Sequence, residues 1–344
     1  MATAEPMPKQ HPCQNSPPKH QNADIYRTFK MRFYEISLTQ PGSTEPIRQW
    51  SSRPKGVYDP NALNIEFDIP VATYGNPIGT QPLSIEGIAL DDLSHAKQFT
   101  GLELTLKAGM QAGLPLANPA QAGIITKGTV WQSFGNWQGT DMTLDFVIAP
   151  SIYSQDIPGN FVLDWKANTP LSQALANTFD IVFPGVPQSI NISPTWVLNH
   201  HEVGYYHSLE TYATNISKLT GGNVEIVKQA GRIIVYDTTY TPPPIKIQFT
   251  DLIGQPTWIA VNTIQIKTVL RADIMLGSII QLPESMQNVP GMALTTRESH
   301  PSQMKYKTTF NGQFKVSAIR HVGNFRSANG DAWITIINCV PANG

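Results

Sequence analysis

The chain has 344 residues. A chain of this length exceeds what a single hydrophobic core organises, so we expect two or three domains. Charged residues make up 14% of it and the formal net charge is -1, so it lacks the basic surface with which a protein grips phosphate groups. The two cysteines, Cys13 and Cys339, have no CxxC spacing, which argues against a disulfide framework and a structural zinc site. The N-terminus shows no signal pattern and no apolar run approaches the ~18 residues of a membrane span, so we expect no membrane insertion.

Residues 1–24 are predicted to be a disordered tail. The segment contains five prolines with Lys, Gln and His, and almost no large apolar side chain follows Met7. Such a composition cannot bury enough surface to offset the entropy of ordering.

Residues 25–150 are predicted to form a first β domain, because apolar and polar residues alternate with the period of strands that bury one face. The alternating sets are Ile65, Phe67 and Ile69; Leu102, Leu104 and Leu106; and Met142, Leu144, Phe146 and Ile148. One helical turn is predicted over residues 91–99, capped by Asp91 or Asp92. An antiparallel barrel or sandwich is the simplest assembly of these strands.

Residues 151–244 change to helical spacing. Thr169 and Pro170 predict an N-cap and a first helical position, and this helix should stop before Pro184. Its inward face is Leu171, Ala174, Leu175, Thr178 and Phe179. A second helix is predicted over residues 203–220, with Gly221 as its left-handed stop. Its inward face is Tyr205, Leu209, Tyr212, Ala213 and Ile216.

A hairpin over residues 224–236, turning through Gln229-Ala230-Gly231, completes this segment as a small α+β domain that ends in a stiff proline linker at 242–244. From 245 to 344 the period of two returns and predicts a second β domain, interrupted by an exposed loop over 285–305. Its apolar positions are Ile245, Ile247, Phe249, Ile264, Ile266, Ile279, Phe314, Val316 and residues 333–337.

The stretches 123–148 and 310–337 repeat one order of features. Each reads as a strand, a Gly-Asn-aromatic corner, a Gly-rich turn with an aspartate (Asp141 or Asp331), and a closing strand. The corner residues, which are candidates for structural corners or subunit contacts, are Gly135, Asn136, Trp137, Gly323, Asn324 and Phe325. Two hairpins of one kind predict two β domains of one kind.

One histidine cluster has the residue types of a zinc site. Its members are His200, His201, Glu202 and His207. A zincin helix needs His-Glu-x-x-His, whereas Tyr205 stands where the second histidine belongs, so we interpret the cluster as polar residues at a helix start. His321 has no Ser or Cys nucleophile elbow beside it and is interpreted as structural.

Carboxylates, glycines and tryptophans give no firm catalytic or ligand site. The carboxylates are Asp91, Asp92, Asp141, Asp145 and Asp331. Their residue type is compatible with a glycosidase, but most of them lie where helix caps and turns are predicted. The glycines at 109, 113, 123 and 128 lack GxGxxG or GxxxxGK[ST] spacing. Trp131, Trp137, Trp258 and Trp333 are expected mainly in cores or subunit contacts. We therefore assign no catalytic, cofactor-binding or metal-binding residue.

Six segments carry a likeness to a known family. They are Leu114-Pro115-Leu116-Ala117-Asn118-Pro119 leading into Gly123-Ile124-Ile125, Phe134-Gly135-Asn136-Trp137, Glu202-Val203-Gly204-Tyr205-Tyr206, Pro256-Thr257-Trp258, Val269-Leu270-Arg271-Ala272-Asp273-Ile274, and His321-Val322-Gly323-Asn324-Phe325-Arg326. With the order β, α+β, β, the sequence resembles the baseplate hub (tail hub) proteins of contractile-tailed bacteriophages, in the Mu-like group, and more distantly the hub part of type VI secretion spike proteins. The resemblance covers about residues 25–340.

This resemblance implies two related tube-type antiparallel β-barrel domains that flank the small α+β domain and assemble as a pseudo-sixfold homotrimeric ring. It implies a non-enzymatic virion protein without cofactors, assembled in the host cytoplasm, that joins the sixfold tail tube to the threefold central spike. The implied partners are the central spike protein and the tail tube protein, then the tape measure and baseplate wedge proteins. DNA would pass through the channel during genome ejection without specific binding. Nothing after Ile337 reads as a β-helical needle, so we expect a separate spike protein.

Two other functions stay open. One is a peptidoglycan-degrading baseplate enzyme that uses Asp141 or Glu202. The other is a carbohydrate-binding β protein that uses Trp131 and Trp137.

Overall fold

The structure, a computed structural model, describes residues 32–73, 80–110, 121–149, 160–283 and 312–342. Within these ranges the chain forms 18 β-strands and three α-helices, so the prediction of a mainly β fold is confirmed. The predicted tail over residues 1–24, the family motif at 114–119 and the predicted loop over 285–305 lie outside the described residues.

The first β segment alternates buried and less buried residues along its strands, as its sequence predicts. Its elements are β1 (Arg32–Thr39), β2 (Pro46–Ser51), β3 (Asn64–Val71), β4 (Gln81–Glu86), α1 (Leu90–Ser94), β5 (Glu103–Met110), β6 (Gly123–Gln138) and β7 (Asp141–Ala149). In β3, Ile65, Phe67 and Ile69 are buried. The helix α1 has only a backbone cap at Ala89, so the predicted capping role of Asp91 or Asp92 is wrong and both lie in its first turn.

The second β segment uses shorter strands before its closing hairpin. Its strands are β13 (Ile245–Lys246), β14 (Thr257–Ala260), β15 (Thr263–Val269), β16 (Ile279–Gln281), β17 (Gln313–Asn324) and β18 (Trp333–Pro341). Phe249, predicted to lie in a strand, sits instead in a short 3-10 turn and is partly exposed.

Both β segments belong to one 13-stranded sheet, and each follows the same strand order. The order in the first segment is β3-β4-β7-β6-β5-β1, with β2 beside β1. The order in the second is β14-β15-β18-β17-β16-β13. Strand for strand, β3 therefore matches β14, β4 matches β15, β7 matches β18 and β6 matches β17. The last pair differs, because β1 is antiparallel to β5 whereas β13 is parallel to β16.

A β-bulge at the same place in both closing hairpins fixes how the two segments match residue by residue. The register shifts between Val130 and Gln132 in the pair β6–β7, and between Val316 and Ala318 in the pair β17–β18. An extra residue of this kind bends a strand and increases its twist. When the two hairpins are aligned on their bulges, Gly135 takes the position of His321. An alignment of the sequence letters matches Gly135 with Gly323 instead.

The two segments are joined where β17 continues past its bulge to pair with β3. This antiparallel pairing runs from Ile319 opposite Val71 to Asn324 opposite Glu66. Next to it the Trp333 ring lies 5.3 Å from the Phe67 ring, and the Trp333 Nε1–H donates to the Gly109 carbonyl oxygen at 3.0 Å. The prediction that Trp333 fills a core is confirmed, and the segments share that core.

The middle segment has its own apolar cluster, formed by residues between Phe161 and Val235. Its elements are β8 (Phe161–Trp165), α2 (Leu171–Val182), β9 (Gln188–Asn191), β10 (Glu202–Tyr206), α3 (Leu209–Leu219), β11 (Val224–Gln229) and β12 (Arg232–Asp237). Strand β8 pairs with β10, and β12 pairs with both β11 and β9. The hairpin β11–β12 turns through Ala230 and Gly231 at φ 51° and 75°, as its sequence predicts.

Helix α2 buries the predicted face and ends before Pro184. It begins one residue later than predicted, because Pro170 is extended at φ -64° and ψ 141°. The Thr169 hydroxyl donates to the Lys166 carbonyl oxygen at 2.7 Å, so the predicted N-cap bond is not made.

The predicted helix over residues 203–220 is wrong in its first part. Residues 202–206 form β10, where Gly204 is a poor helix residue and the β-branched and aromatic neighbours favour a strand. Tyr205 is consequently exposed instead of facing inward. Helix α3 starts after Ser208, whose hydroxyl oxygen accepts from the Thr211 N–H at 3.1 Å, and Gly221 follows its end at φ 64° as predicted.

Candidate functional site

The first predicted corner lies inside a strand. Strand β6 runs without interruption through Gly135, Asn136 and Trp137 to Gln138 and pairs there with β7. In the second copy, Gly323 and Asn324 do end β17, and Phe325 follows. The role of these six residues as subunit contacts stays a prediction.

Both corner glycines are needed for close packing, against different neighbours. A Cβ atom on Gly135 would lie 2.7 Å from Leu93 Cδ1. On Gly323 it would lie 2.3 Å from the Phe67 ring, which itself packs on Trp333. A side chain at either position would force its neighbour to move.

A polar cleft of about 610 Å³ lies at the end of the hairpin β6–β7. It is lined by Asn64, Glu86, Gly87, Asn136, Gln138, Thr140, Asp141, Met142 and Thr143. The amide of Asn64 donates to Glu86 at 2.9 Å, and the amide of Asn136 donates to Asp145 at 2.6 Å. Asn136 and Asp141 thus line the same cleft, and Asp145 is linked to it through its bond with Asn136. Asp331 is elsewhere, 3.9 Å from Lys267.

His200 and His201 precede strand β10 and Glu202 begins it, so their interpretation as a helix start is wrong. His207 follows the strand and lies directly before Ser208, the N-cap of α3. His201 Nε2 lies 2.6 Å from Asp164 Oδ1 on β8, and His200 Nε2 lies 3.5 Å from Glu202 Oε2. These are exposed cross-strand or neighbouring pairs. Among the residues that the structure describes, no three His, Cys, Asp or Glu side chains are grouped as metal ligands.

His321 is fully buried in β17. Its Nδ1 lies 3.0 Å from the Thr335 hydroxyl oxygen, and the same hydroxyl accepts from the Arg271 backbone N–H at 2.9 Å. Burial lowers the pKa of His321 from 6.5 to about 3, so the imidazole is neutral across the physiological range. Its interpretation as a structural residue fits this position.

Arg271 forms a buried ionic group that the sequence analysis missed. Its guanidinium nitrogens lie 3.2 Å from Asp251 Oδ2 and 2.6 Å from Asp273 Oδ2, and both Arg271 and Asp251 are almost fully buried. The available signal was an Arg-x-Asp pattern within the apolar stretch 269–276, because a charge in such a run has to be paired.

Two strand edges expose apolar side chains. In β14, at one end of the sheet, all four residues are exposed, with Trp258 at 44% and Ile259 at 50%. In β6 beyond its bulge, Phe134 is 45% and Trp137 is 63% exposed. Trp131, at the bulge, is half-buried. Apolar side chains that are exposed in this way are candidates for contacts with another chain.

No protein-family model matches the sequence. No curated protein matches it either. Within the described ranges, no helix has the length and apolar character needed to cross a lipid bilayer.

Several solved structures are similar to the chain. The tail protein from Neisseria meningitidis MC58 matches with TM-score 0.49 and 10% identity over 89% of this chain and 96% of that one. The 43 kDa tail protein of prophage MuSo2 from Shewanella oneidensis matches with TM-score 0.48 and 9% identity over 90% and 98%. The E. coli c3393 protein, a type VI secretion component described as similar to T4 bacteriophage tail proteins gp27 and gp5, matches with TM-score 0.46 and 9% identity over 81% and 73%.

These structural neighbours are phage tail proteins and a type VI secretion component, the same classes that the sequence resemblance named. Because all three TM-scores lie below 0.5, we base the functional proposal on the duplicated strand order.

Proposed function

We propose that the protein is the structural hub of a phage tail baseplate. In this proposal three copies form a ring that joins the sixfold tail tube to the threefold central spike and encloses the channel for genome ejection. The observation that carries the proposal is the duplicated strand order, β3-β4-β7-β6-β5-β1 and β14-β15-β18-β17-β16-β13. Two equivalent units in each of three chains give six equivalent positions around one axis, which is what an adaptor between sixfold and threefold partners needs.

The units of this proposal are residues 25–150 and 245–344, each closing as a tube-type barrel, with residues 151–244 as the separate α+β domain. Support for the division comes from the two apolar clusters, one confined to the middle segment and one formed mainly by the β segments, to which the hairpin β11–β12 adds Val227, Ile234 and Tyr236. The shared cluster and the pairing of β3 with β17 would hold the two β units of one chain in a fixed relation.

Charge balance on the sheet supports a channel through which DNA slides. Several cations on its strands are paired with neighbouring carboxylates: Lys107 Nζ lies 2.8 Å from Glu35, and Lys127 Nζ lies 2.6 Å from Glu103. Arg320 is likewise bonded to Asp68. Paired charges offer few free cations to phosphate groups, so strong non-specific binding of DNA is not expected.

A structural role is proposed in preference to an enzymatic one because several of the sequence candidates for catalysis make structural contacts. His321 is buried and neutral, Asp145 accepts a bond from the Asn136 amide, and Glu202 lies 3.5 Å from His200. The partners in this proposal are a central spike protein, a tail tube protein, and tape measure and wedge proteins, within the virion.

The mass of the purified full-length chain tests this proposal. Light scattering at micromolar concentration should give three copies of the 37.9 kDa chain, and particle images should show a ring with a central opening and threefold symmetry. A monomer over the whole concentration range, or a closed particle with no opening, would contradict the hub.

A further inference from the structure

The hairpin β11–β12 has two faces that belong to different cores. Ile226 and Val235 pack in the core of the middle segment. Val227, Ile234 and Tyr236 alternate with them along the same strands and pack in the core that the β segments form. The hairpin is therefore the wall between the α+β domain and the large sheet.

Gln229, at the end of β11, joins this wall to the second β unit by two buried hydrogen bonds. Its Nε2 donates to the Ile274 carbonyl oxygen at 3.0 Å, and its Oε1 accepts from the Leu276 N–H at 3.0 Å. Gln229 is 4% exposed, so both bonds are shielded from water. A buried amide and two buried backbone groups that satisfy one another specify a single fit between the two surfaces.

Tyr236 and Lys315 make a second contact across the same wall. The Lys315 Nζ on β17 donates to the Asp237 carbonyl oxygen at 3.0 Å and lies 5.2 Å from the centre of the Tyr236 ring. A Cβ atom on Gly277 would lie 2.8 Å from that ring. Glycine at this position, with φ 77°, therefore lets the ring approach the backbone of the second unit closely.

The first β unit is built differently at the equivalent place. In the second unit, the connection from β15 to β16, residues 270–278, carries the contacts just described, whereas the connection from β4 to β5 folds into α1 and a 3-10 turn. That turn packs on β6, because the Ser133 hydroxyl donates to the Ala96 carbonyl oxygen at 2.7 Å. When the closing hairpins are aligned on their bulges, Thr129 takes the position of Lys315.

We propose that Gln229 and Lys315 clamp the α+β domain onto the second β unit and hold it in one orientation. The hairpin turn also meets the first unit, where Gly231 lies against the side chain of Lys127, but a long flexible side chain constrains orientation less than a pair of buried bonds. A domain without such a clamp would move relative to the sheet, because domains joined by a small interface move by default.

This inference rests on the proposed ring and adds what the α+β domain does in it. Six β units of similar strand order would carry a rigidly held domain at every second position. The ring would then present a fixed threefold arrangement of α+β domains on a body of six similar units, as an adaptor between sixfold and threefold partners needs.

The distance between two spin labels within one chain tests the clamp. The labels are attached at Ile181→Cys on α2 and at Val261→Cys between β14 and β15, because these side chains are 79% and 94% exposed. The full chain also carries Cys13→Ser, and Cys339 is buried. Labelled chains are diluted with an excess of unlabelled chains, so that distances between copies are not recorded. The clamped protein should give one narrow distance distribution.

Gln229→Ala combined with Lys315→Thr should release the domain. The change leaves the backbone groups of Ile274 and Leu276 buried and unpaired as long as the domain stays docked, so the ratio of released to docked domain should rise by roughly 30-fold or more. In a urea titration, the distance distribution should therefore broaden at a lower urea concentration than in the parent chain, before circular dichroism reports unfolding.

Gln81→Ala is the matched control, because Gln81 is a buried glutamine of the first unit with two comparable bonds. Its Nε2 donates to the Pro70 carbonyl oxygen at 3.0 Å, and its Oε1 accepts from the Thr126 hydroxyl at 2.6 Å. This variant should lose stability as well, but its distance distribution should stay narrow until circular dichroism is lost.

The possible outcomes separate the clamp from the hub itself. A distribution that stays narrow up to unfolding in the double variant, a broad distribution in the parent chain, or equal early broadening in Gln81→Ala overturns the clamp and leaves the hub intact. Because the distance lies within one chain, it is measured equally well in a monomer. A monomer at every concentration would overturn the ring and the threefold arrangement, and the distances would then decide the clamp alone.

Discussion

Replacing His321 with asparagine should remove a large part of the chain's loss of stability in mild acid. Burial holds the pKa of His321 at about 3 in the folded chain, below its ordinary value of 6.5. As the pH falls through 6.5, the unfolded chain takes up a proton that the folded chain cannot accept until the pH nears 3. The stability contributed by the neutral imidazole is therefore full above pH 6.5 and is lost progressively below it.

The magnitude follows from the difference between the two pKa values. At pH 5 the pH lies about 1.5 units below the pKa of the unfolded imidazole. Protonation of the unfolded chain therefore lowers the free energy of unfolding by about 2 kcal/mol relative to pH 7.5. Asparagine can keep a hydrogen bond to the Thr335 hydroxyl, which lies 3.0 Å from His321 Nδ1, and it does not titrate. The variant should be less stable at pH 7.5 because the smaller side chain leaves a cavity, but its stability should fall by about 2 kcal/mol less on going to pH 5.

Urea unfolding of both proteins at pH 7.5 and pH 5 measures this difference. The protein concentration has to be held fixed, because association adds a concentration-dependent stability. Every other titratable group is common to both proteins, so the difference between the two pH dependences isolates His321. An equal loss of stability in wild type and His321→Asn would refute the assignment of a buried, neutral imidazole.

Two further substitutions test the contacts that hold the sheet together. Gly323→Ala should cost about 2 kcal/mol or more, because its Cβ would lie 2.3 Å from the Phe67 ring, whereas Gly330→Ala, with no atom within 4 Å, should be close to neutral in urea unfolding. Arg271→Met should cost about 3–5 kcal/mol by thermal unfolding, because it removes the guanidinium that faces both Asp251 and Asp273 in a buried site; a loss below about 1 kcal/mol would contradict a charged group there.

Local patterns in the sequence predicted most strands and the face of α2, since the period of two and the helical spacing report directly which side of an element is buried. The failure at residues 203–207 has a local cause. The spacing of Tyr205, Leu209 and Tyr212 fitted one face of a helix. Gly204 weakens a helix, however, and Ser208 supplies the actual N-cap. The cross-strand partners of β10 lie on β8, some 40 residues earlier in the chain, where no local pattern could indicate them.

The features of the candidate site were harder to predict than the strands, because they depend on the register between paired strands. The sequence showed that two hairpins share an order of features, but it aligned Gly135 with Gly323. The bulges instead align Gly135 with His321, because equivalence between the units lies in hydrogen-bond register and each glycine serves a different neighbour. Register is a property of paired backbones, so it became visible only with both strands of each hairpin in place.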